Sequence, residues 1–433
     1  MTGIVICIYF PSIYLEQSFT VPSITRMHVL IVGAGIGGLT LAQNLRKQGI
    51  SYEIFDRDVD SNARFQGWAI ALHTIVDELI SSLPEDLPDV REATNHLAPL
   101  SLPGQFRYYY GGKDQGYGFE DSPEVPFIRA ERSLLRKWLL TNLPVQWGKH
   151  VIRIEHDDAG VEVFFQDGTS AKGDIIVGAD GVYSPVRTTL LQRPSSDLLQ
   201  VVPLSAIVGE LNLSGDAFTR QLALGHSAYN LVNPELGFIG FVGLHKVLPD
   251  AKSGRFYWMF MQPDAEVSNS QHWLQTSSQQ EKLDHVLKTT AGLPAKLREI
   301  FELTPAEGIR KEPHIWRDLE LESLPSSRVV LLGDAAHAMT PSRGEGAFHA
   351  FLDAIKLTKV LTQVSADGNV HDINAVKAAV AGYHEEILRR GGAAVRASRS
   401  SYQDSKKRAE TGEHFITGMI KLDDAPIVLD VKA

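Results

Sequence analysis

His28 to Val32 is a short apolar run rich in β-branched residues, the pattern of a buried strand. A glycine cluster follows it. Beyond the cluster Leu39, Leu41, Ala42 and Leu45 share one helical face, and Gly49 closes the helix they predict. Tyr52 to Phe55 then reads as a second strand. Strand, tight turn, helix and strand in this order predict the βαβ opening of a doubly wound domain.

Residues 73–123 carry little periodicity and are rich in Pro, Gly and Tyr, with one helix predicted around Thr74 to Leu83. Helical spacing resumes at Arg132 to Leu140, and strands are predicted at 151–155, 161–166 and 174–178. From about 201 to 262 the pattern turns strand-rich and aromatic, as in Phe238-Ile239-Gly240-Phe241 and Phe256-Tyr257-Trp258-Met259-Phe260. Residues 279–302 read as helix, Val329 to Leu332 as a fully apolar strand, and Gly346 to Val360 as a long helix. The chain from about Asn374 reads as amphipathic helix. The expected fold class is α/β: a Rossmann-like, doubly wound domain with an inserted mixed-sheet domain and a helical C-terminus. The expected boundaries are 27–72, 124–190 and 311–365 for the discontinuous first domain, 73–123 and 191–310 for the insertion, and 366–433 for the helical segment.

Composition narrows the function by exclusion. The formal net charge is −10, which disfavours nucleic-acid binding through a broad basic face. Arg389-Arg390 and Lys406-Lys407-Arg408 are read as a solvated helical face. Cys7 is the single cysteine, so no disulfide framework is available, and no Cys/His spacing suggests a metal site. The apolar run Ile4 to Phe10 is too short to span a bilayer and lacks the basic start and cleavage site of a secretory signal. Residues 1–26 are therefore expected to be a disordered or loosely packed extension, dispensable to a fold that starts at Met27. A cytoplasmic, soluble protein is expected, with N-terminal membrane association as the alternative.

The chemistry is carried by three motifs. Gly33-Ala34-Gly35-Ile36-Gly37-Gly38 follows the first strand and opens the first helix. Gly33 permits the tight turn, Gly35 lets the backbone approach a pyrophosphate, and Gly38 allows close helix–strand packing. The helix N-terminus offers free N–H groups to phosphate. Asp56, at the end of the second strand, suits ribose hydroxyls. The second motif is Gly178-Ala179-Asp180-Gly181, continuing through Ser184 to Arg187. The third is Gly333-Asp334-Ala335-Ala336-His337, followed by Pro341, Gly344, Gly346 and Asp353.

In order and spacing the three motifs resemble the group A flavoprotein monooxygenases, the aromatic-hydroxylase class related to salicylate and para-hydroxybenzoate hydroxylases. The resemblance covers about 27–360, and it makes the first domain FAD-binding and the insertion the substrate domain. It implies non-covalent FAD, with NADPH or NADH as co-substrate. Asp334 would hydrogen-bond the ribitol. Gly344, Gly346 and Ala347 would lie against the isoalloxazine, at a helix N-terminus that stabilises charge on the reduced ring. Asp180 and Gly181 would lie near the pyrophosphate and the nicotinamide path. Gly67, in Gly67-Trp68-Ala69, matches the segment covering the flavin face, and Arg129 matches the arginine that reaches the cofactor. His337 reads as structural.

The sequence also departs from the family pattern. Phe348, followed by His349, stands where the long helix usually carries Asn, and Asp56 stands where Glu is commoner. Leu204 to Leu211 lacks the arginine that many phenol hydroxylases of the class place there. That absence, with the aromatic residues of the strand-rich stretch, predicts a small, largely neutral aromatic or polycyclic substrate, and the resemblance implies insertion of one oxygen of O₂ into it through a flavin C4a-hydroperoxide. Tyr229, Tyr257 and His226 are candidate pocket residues, and no separate catalytic residue is assigned. The same scaffold also serves FAD dehydrogenases and reductases without oxygen insertion, and non-catalytic escort proteins. A flavin-dependent halogenase is disfavoured by the absence of W-x-W-x-I-P.

Overall fold

The computed structural model describes residues 27–411, 419–422, 427 and 429–431. The expectations for residues 1–26 and Cys7 lie outside the described residues. A five-stranded parallel sheet has the order Val329–Leu331, Ile175–Gly178, His28–Val32, Ser51–Phe55, Val145–Gln146. Val329–Leu331, Ile175–Gly178 and His28–Val32 are almost entirely apolar because both faces are covered, as parallel sheets require, whereas Ser51–Phe55 carries Ser51 and Glu53. The helix Ile36–Gln48 packs against the helix Gly346–Ala366. Gly49 ends the first helix in the left-handed conformation, at φ 68°.

The second sheet has seven strands, in the order Leu204–Ser214, Ser253–Pro263, Phe238–Val247, Ala228–Asn233, Gln105–Tyr110, Gly116–Glu120, Ile420–Leu422. One face is sealed by Gly215–Ala223, Gln279–Thr290 and Ala295–Glu302, with Phe256, Trp258, Phe260, Phe218 and Phe301 in the core between them. A two-stranded ribbon, Ala69–Leu72 with Ile128–Glu131, stands between the two sheets in sequence. A three-stranded antiparallel sheet spans Val151–His156, Val161–Phe165 and Ser170–Gly173.

Three features differ from the sequence expectation. The stretch 73–123 holds two strands of the second sheet. Its helix Val76–Ser82 buries Val76 and Leu79 in the nucleotide-side core, although the expected boundary gives it to the insertion. The expected helix over 279–302 breaks at Pro294, which precedes the helix Ala295–Glu302. The helical expectation for 366–433 is met by Ile373–Thr411, but Ile420–Leu422 is a strand that pairs antiparallel with Gly116–Gly118. Among the described residues no helix is long and apolar enough to cross a membrane.

Candidate functional site

The glycine turn is shaped by close approach. Gly33 sits at φ 110°, and a Cβ on it would stand 2.3 Å from the Ala179 carbonyl oxygen. A Cβ on Gly38 would stand 2.0 Å from the Gly33 carbonyl oxygen. Any side chain there would push the turn off the strand beside it. Around Gly35, Gly181 and Gly344, by contrast, no atom lies within 4 Å of the place a Cβ would take, and around Gly346 only Met339 approaches. These positions leave open backbone. Ala347 is half-buried in the first turn of the helix Gly346–Ala366.

Asp56 is buried, and each of its oxygens accepts one backbone N–H, from Ala34 at 2.7 Å and from Asp58 at 2.9 Å. A carboxylate oxygen has a second lone pair, so both remain able to accept from a ligand. Arg136, buried, donates from Nε to the Ala34 carbonyl at 3.0 Å and from Nη1 to the Ser61 carbonyl at 2.6 Å. Its Nη2 is buried without a partner among the described residues. Asp180 Oδ2 accepts from the Val186 N–H at 3.1 Å, while Oδ1 is buried and unpartnered. Burial pushes the Asp180 carboxyl up to about 6.

Asp334 follows the strand Val329–Leu331 and opens the short helix Asp334–His337. Its side chain is solvent-exposed, and its carboxylate has no hydrogen-bond partner among the described residues. Desolvation by the surrounding protein raises its pKa, against the pull of His337 and Arg132. Gly67 has Arg132 beside it, with the Arg132 Cδ 3.2 Å from the place of a Cβ. Burial lowers the Arg132 pKa, and Asp334 opposes this.

Arg129 lies in the strand Ile128–Glu131, before the helix Arg132–Leu139. Its Nη2 donates to the Tyr257 hydroxyl, and its guanidinium lies 5.3 Å from the Phe241 ring centroid. Both partners belong to the second sheet, so the arginine beside Gly67 and Asp334 is Arg132. Sequence reasoning missed Arg132 and Arg136. The available signal was two arginines four apart at a helix start, on one face and directed toward the preceding turn.

Behind the third motif lies a buried ion network. Asp353 Oδ2 accepts from the Gly333 N–H and from His337 Nε2, both at 2.7 Å, and Oδ1 accepts from Arg390. Burial alone would raise the Asp353 carboxyl, but His337 and Arg390 hold it at about 2. A Cβ on Gly391 would stand 2.6 Å from the His337 ring, so the helix Ile373–Thr411 is fitted around this histidine. The structural reading of His337 follows from these contacts. Arg390 Nη1 also donates to His349 Nδ1 at 2.7 Å, and burial with this neighbour lowers the His349 pKa to about 4.

The open face of the second sheet is read from the strand registers. Leu204, Ala206 and Val208 share it with Tyr257, Met259 and Met261 of the next strand. Ile239 and Phe241 continue it, followed by Asn230 and Val232 and then Tyr108 and Tyr110. Ile239, Phe241, Met259, Asn230 and Tyr110 are half-buried, as befits a cavity wall. Trp68 stacks on Tyr257, and Arg343 of the Pro341–Arg343 turn interacts electrostatically with Tyr108. The wall therefore faces segments of both the second-strand side and the third motif.

Of the three pocket candidates only Tyr257 is on this face. Tyr229 is on the sealed face, bonded to Gln221 at 2.7 Å. His226 is buried against the Pro103 carbonyl at 3.0 Å. Arg220 and Arg255 are exposed and paired with Glu299 and Glu210.

Open glycine backbone, the unpaired acid Asp334, and Arg136 Nη2 and Asp180 Oδ1, both without a partner among the described residues, fit a bound dinucleotide with a polyol arm. The chain belongs to the FAD binding domain family, whose match spans residues 26–398. It is an FAD-dependent monooxygenase of the aromatic-hydroxylase type. It is 57% identical over 380 residues to the FAD-dependent monooxygenase thnD of Trichoderma harzianum, covering 88% of this chain and 94% of that one. It is 28% identical to phnB of Penicillium herquei, covering 84% and 88%. Among solved structures it resembles an FAD-containing monooxygenase from Photorhabdus luminescens, with a TM-score of 0.68 and 26% identity over 87% of this chain and 99% of that one.

Proposed function

We propose that the enzyme uses NADPH or NADH and O₂ to insert one oxygen into a largely neutral aromatic or polycyclic substrate lying on the open wall of the second sheet. Reduced FAD supplies the oxygen-activating chemistry when bound. The protein's own residues bind, orient and exclude water. Gly33, Gly35, Gly38 and Arg136 would hold the pyrophosphate, Asp56 the adenosine ribose, and Asp334 the ribitol. Arg132, rather than Arg129, would reach the cofactor beside Gly67. Asp180 and Gly181 would line the nicotinamide path, and Gly344, Gly346 and Ala347 would meet the flavin edge.

The observation that carries the substrate reading is the wall itself, apolar and aromatic from Leu204 to Tyr110 and bounded at one end by Arg129. No carboxylate pairs with this buried guanidinium among the described residues, and its Nε is unpartnered. Arg129 and Tyr257 would hold an acidic hydroxyl of an otherwise neutral substrate. The apolar wall beyond them penalises a second charge. The test is a substrate panel under ¹⁸O₂ with mass-spectrometric readout. One labelled oxygen in a neutral polycyclic phenol, with none in benzoate-type acids, is expected. NAD(P)H oxidation without label in any product would move the enzyme to the reductase reading.

A further inference from the structure

Asn230 is an amide whose neighbours in register on the wall are aromatic or phenolic, Phe241 and Tyr108; the charged residue of this face, Glu210 opposite Tyr257, is paired with Arg255 and Arg310. It is half-buried, and its side chain has no hydrogen-bond partner among the described residues. In register it lies between Phe241 and Tyr108. Tyr108 faces the turn that carries Arg343, and Tyr257, two strands away in the other direction, stacks on Trp68. Asn230 thus sits between the two segments that bound the flavin site.

Its distance from the Arg129–Tyr257 pair follows from sheet geometry. Tyr257 pairs with Gly243, and Gly243 with Ala228, two residues from Asn230. Two strand spacings and two residues of rise put the backbone positions about 12 Å apart. Their side chains project from the same face. A single aromatic ring held at Tyr257 does not reach Asn230, whereas two or three fused rings do.

We infer that Asn230 is a specificity-determining residue, which takes a neutral oxygen at the far end of an extended polycyclic phenol whose acidic hydroxyl is held by Arg129 and Tyr257. The inference rests on the proposed pocket and adds a second anchor to it. A half-buried amide left without a partner costs binding energy, so a substrate that lacks the far oxygen is selected against. The amide carries both a donor and an acceptor, so a hydroxyl or a carbonyl satisfies it.

The test is calorimetric titration of the oxidised, FAD-loaded enzyme with 2-hydroxyanthraquinone and 2,6-dihydroxyanthraquinone, which differ by one terminal hydroxyl. The wild type is expected to bind the dihydroxy probe about 5- to 10-fold more tightly. Asn230→Leu should bring the two affinities within about twofold by weakening only the dihydroxy probe. Asn230→Gln should keep part of the preference, and FAD content should be unchanged in both variants. An equal loss for both probes, a preference retained in Asn230→Leu, or no preference in the wild type overturns the assignment of Asn230. Binding of neither probe by FAD-loaded wild type overturns the pocket reading beneath it.

Discussion

The indole of Trp68 lies flat on the ring of Tyr257, with centroids 4.4 Å apart and planes within 5°. One residue follows Gly67 in the segment expected over the flavin face, and the other belongs to the wall of the second sheet. Arg310 stacks on Trp68 at 4.5 Å and binds Glu210 at 3.0 Å, so the contact is clamped from outside. In the proposed site this stack would close the cleft between the cofactor and the substrate wall.

Opening that closure should let water in without removing any group that touches flavin phosphate. Trp68→Ala loses the stack, worth about 0.5–1.5 kcal/mol beyond the buried area. It should also raise the fraction of NAD(P)H consumed that ends as hydrogen peroxide instead of product. Trp68→Phe should stay close to wild type. Peroxide yield per NAD(P)H, measured at saturating substrate, checks both, and equal coupling in Trp68→Ala and wild type would remove the sealing role.

Arg132 and Arg129 should separate cleanly. Arg132→Ala is expected to weaken FAD binding about 10- to 150-fold, the worth of a lost charge-assisted hydrogen bond. Arg129→Ala should leave FAD affinity within about threefold while abolishing tight binding of phenolic ligands. Flavin fluorescence titration of apoprotein gives the first quantity and calorimetry the second. The reverse pattern would restore Arg129 as the cofactor arginine.

This pair shows where the sequence was legible. The glycine turn and the parallel strands were readable because tight turns and buried strands demand particular residues at fixed spacing. Gly33, Gly38 and Asp56 therefore stand in the turn as the pattern required. Arg129 and Arg132 are three residues apart, on opposite sides of a strand-to-helix boundary between Glu131 and Arg132. Which of them would reach a cofactor beside Gly67 turns on that boundary, the least certain feature of a sequence pattern. Tyr229 and Tyr257 were indistinguishable for a similar reason: the face of a strand that is sealed by helices depends on partners distant in the chain. The strands at 105–110 and 116–120 escaped notice because glycine and tyrosine in that stretch mimic an irregular loop.

Asp353 should be the costliest acid to lose behind the third motif. It is fully buried and accepts from His337, Arg390 and the Gly333 N–H. Asp353→Asn leaves two cationic partners without their counter-charge, which costs about 3–5 kcal/mol in stability. Because the folded carboxyl is held near 2, below its unfolded value, its stabilisation is present above the unfolded value and is lost as pH falls through about 2. Urea unfolding of both proteins should therefore show a gap that is largest near pH 5, where His337 is charged and Asp353 ionised, and narrows below about 4. A gap that does not change with acid would assign the effect to packing.

Asp180 should show the opposite sign. Burial raises its folded pKa to about 6, above the usual carboxylate value, so the folded apoprotein holds a proton that the unfolded chain has released. Between about pH 4 and 6 the folded state binds more protons, and stability falls as pH rises. Above that window the charged carboxylate is retained at a cost, because Oδ1 has no protein partner. Asp180→Asn removes the ionisation and keeps the shape, so its melting temperature should match that of wild-type apoprotein at pH 4 and exceed it at pH 7. Adding FAD and NADP⁺ should narrow the pH 7 difference if the ligands supply the missing hydrogen bond to Oδ1. Thermal melts of both apoproteins from pH 4 to 8 decide it, and a difference that is flat with pH would mean Asp180 ionises in the folded state as it does in water.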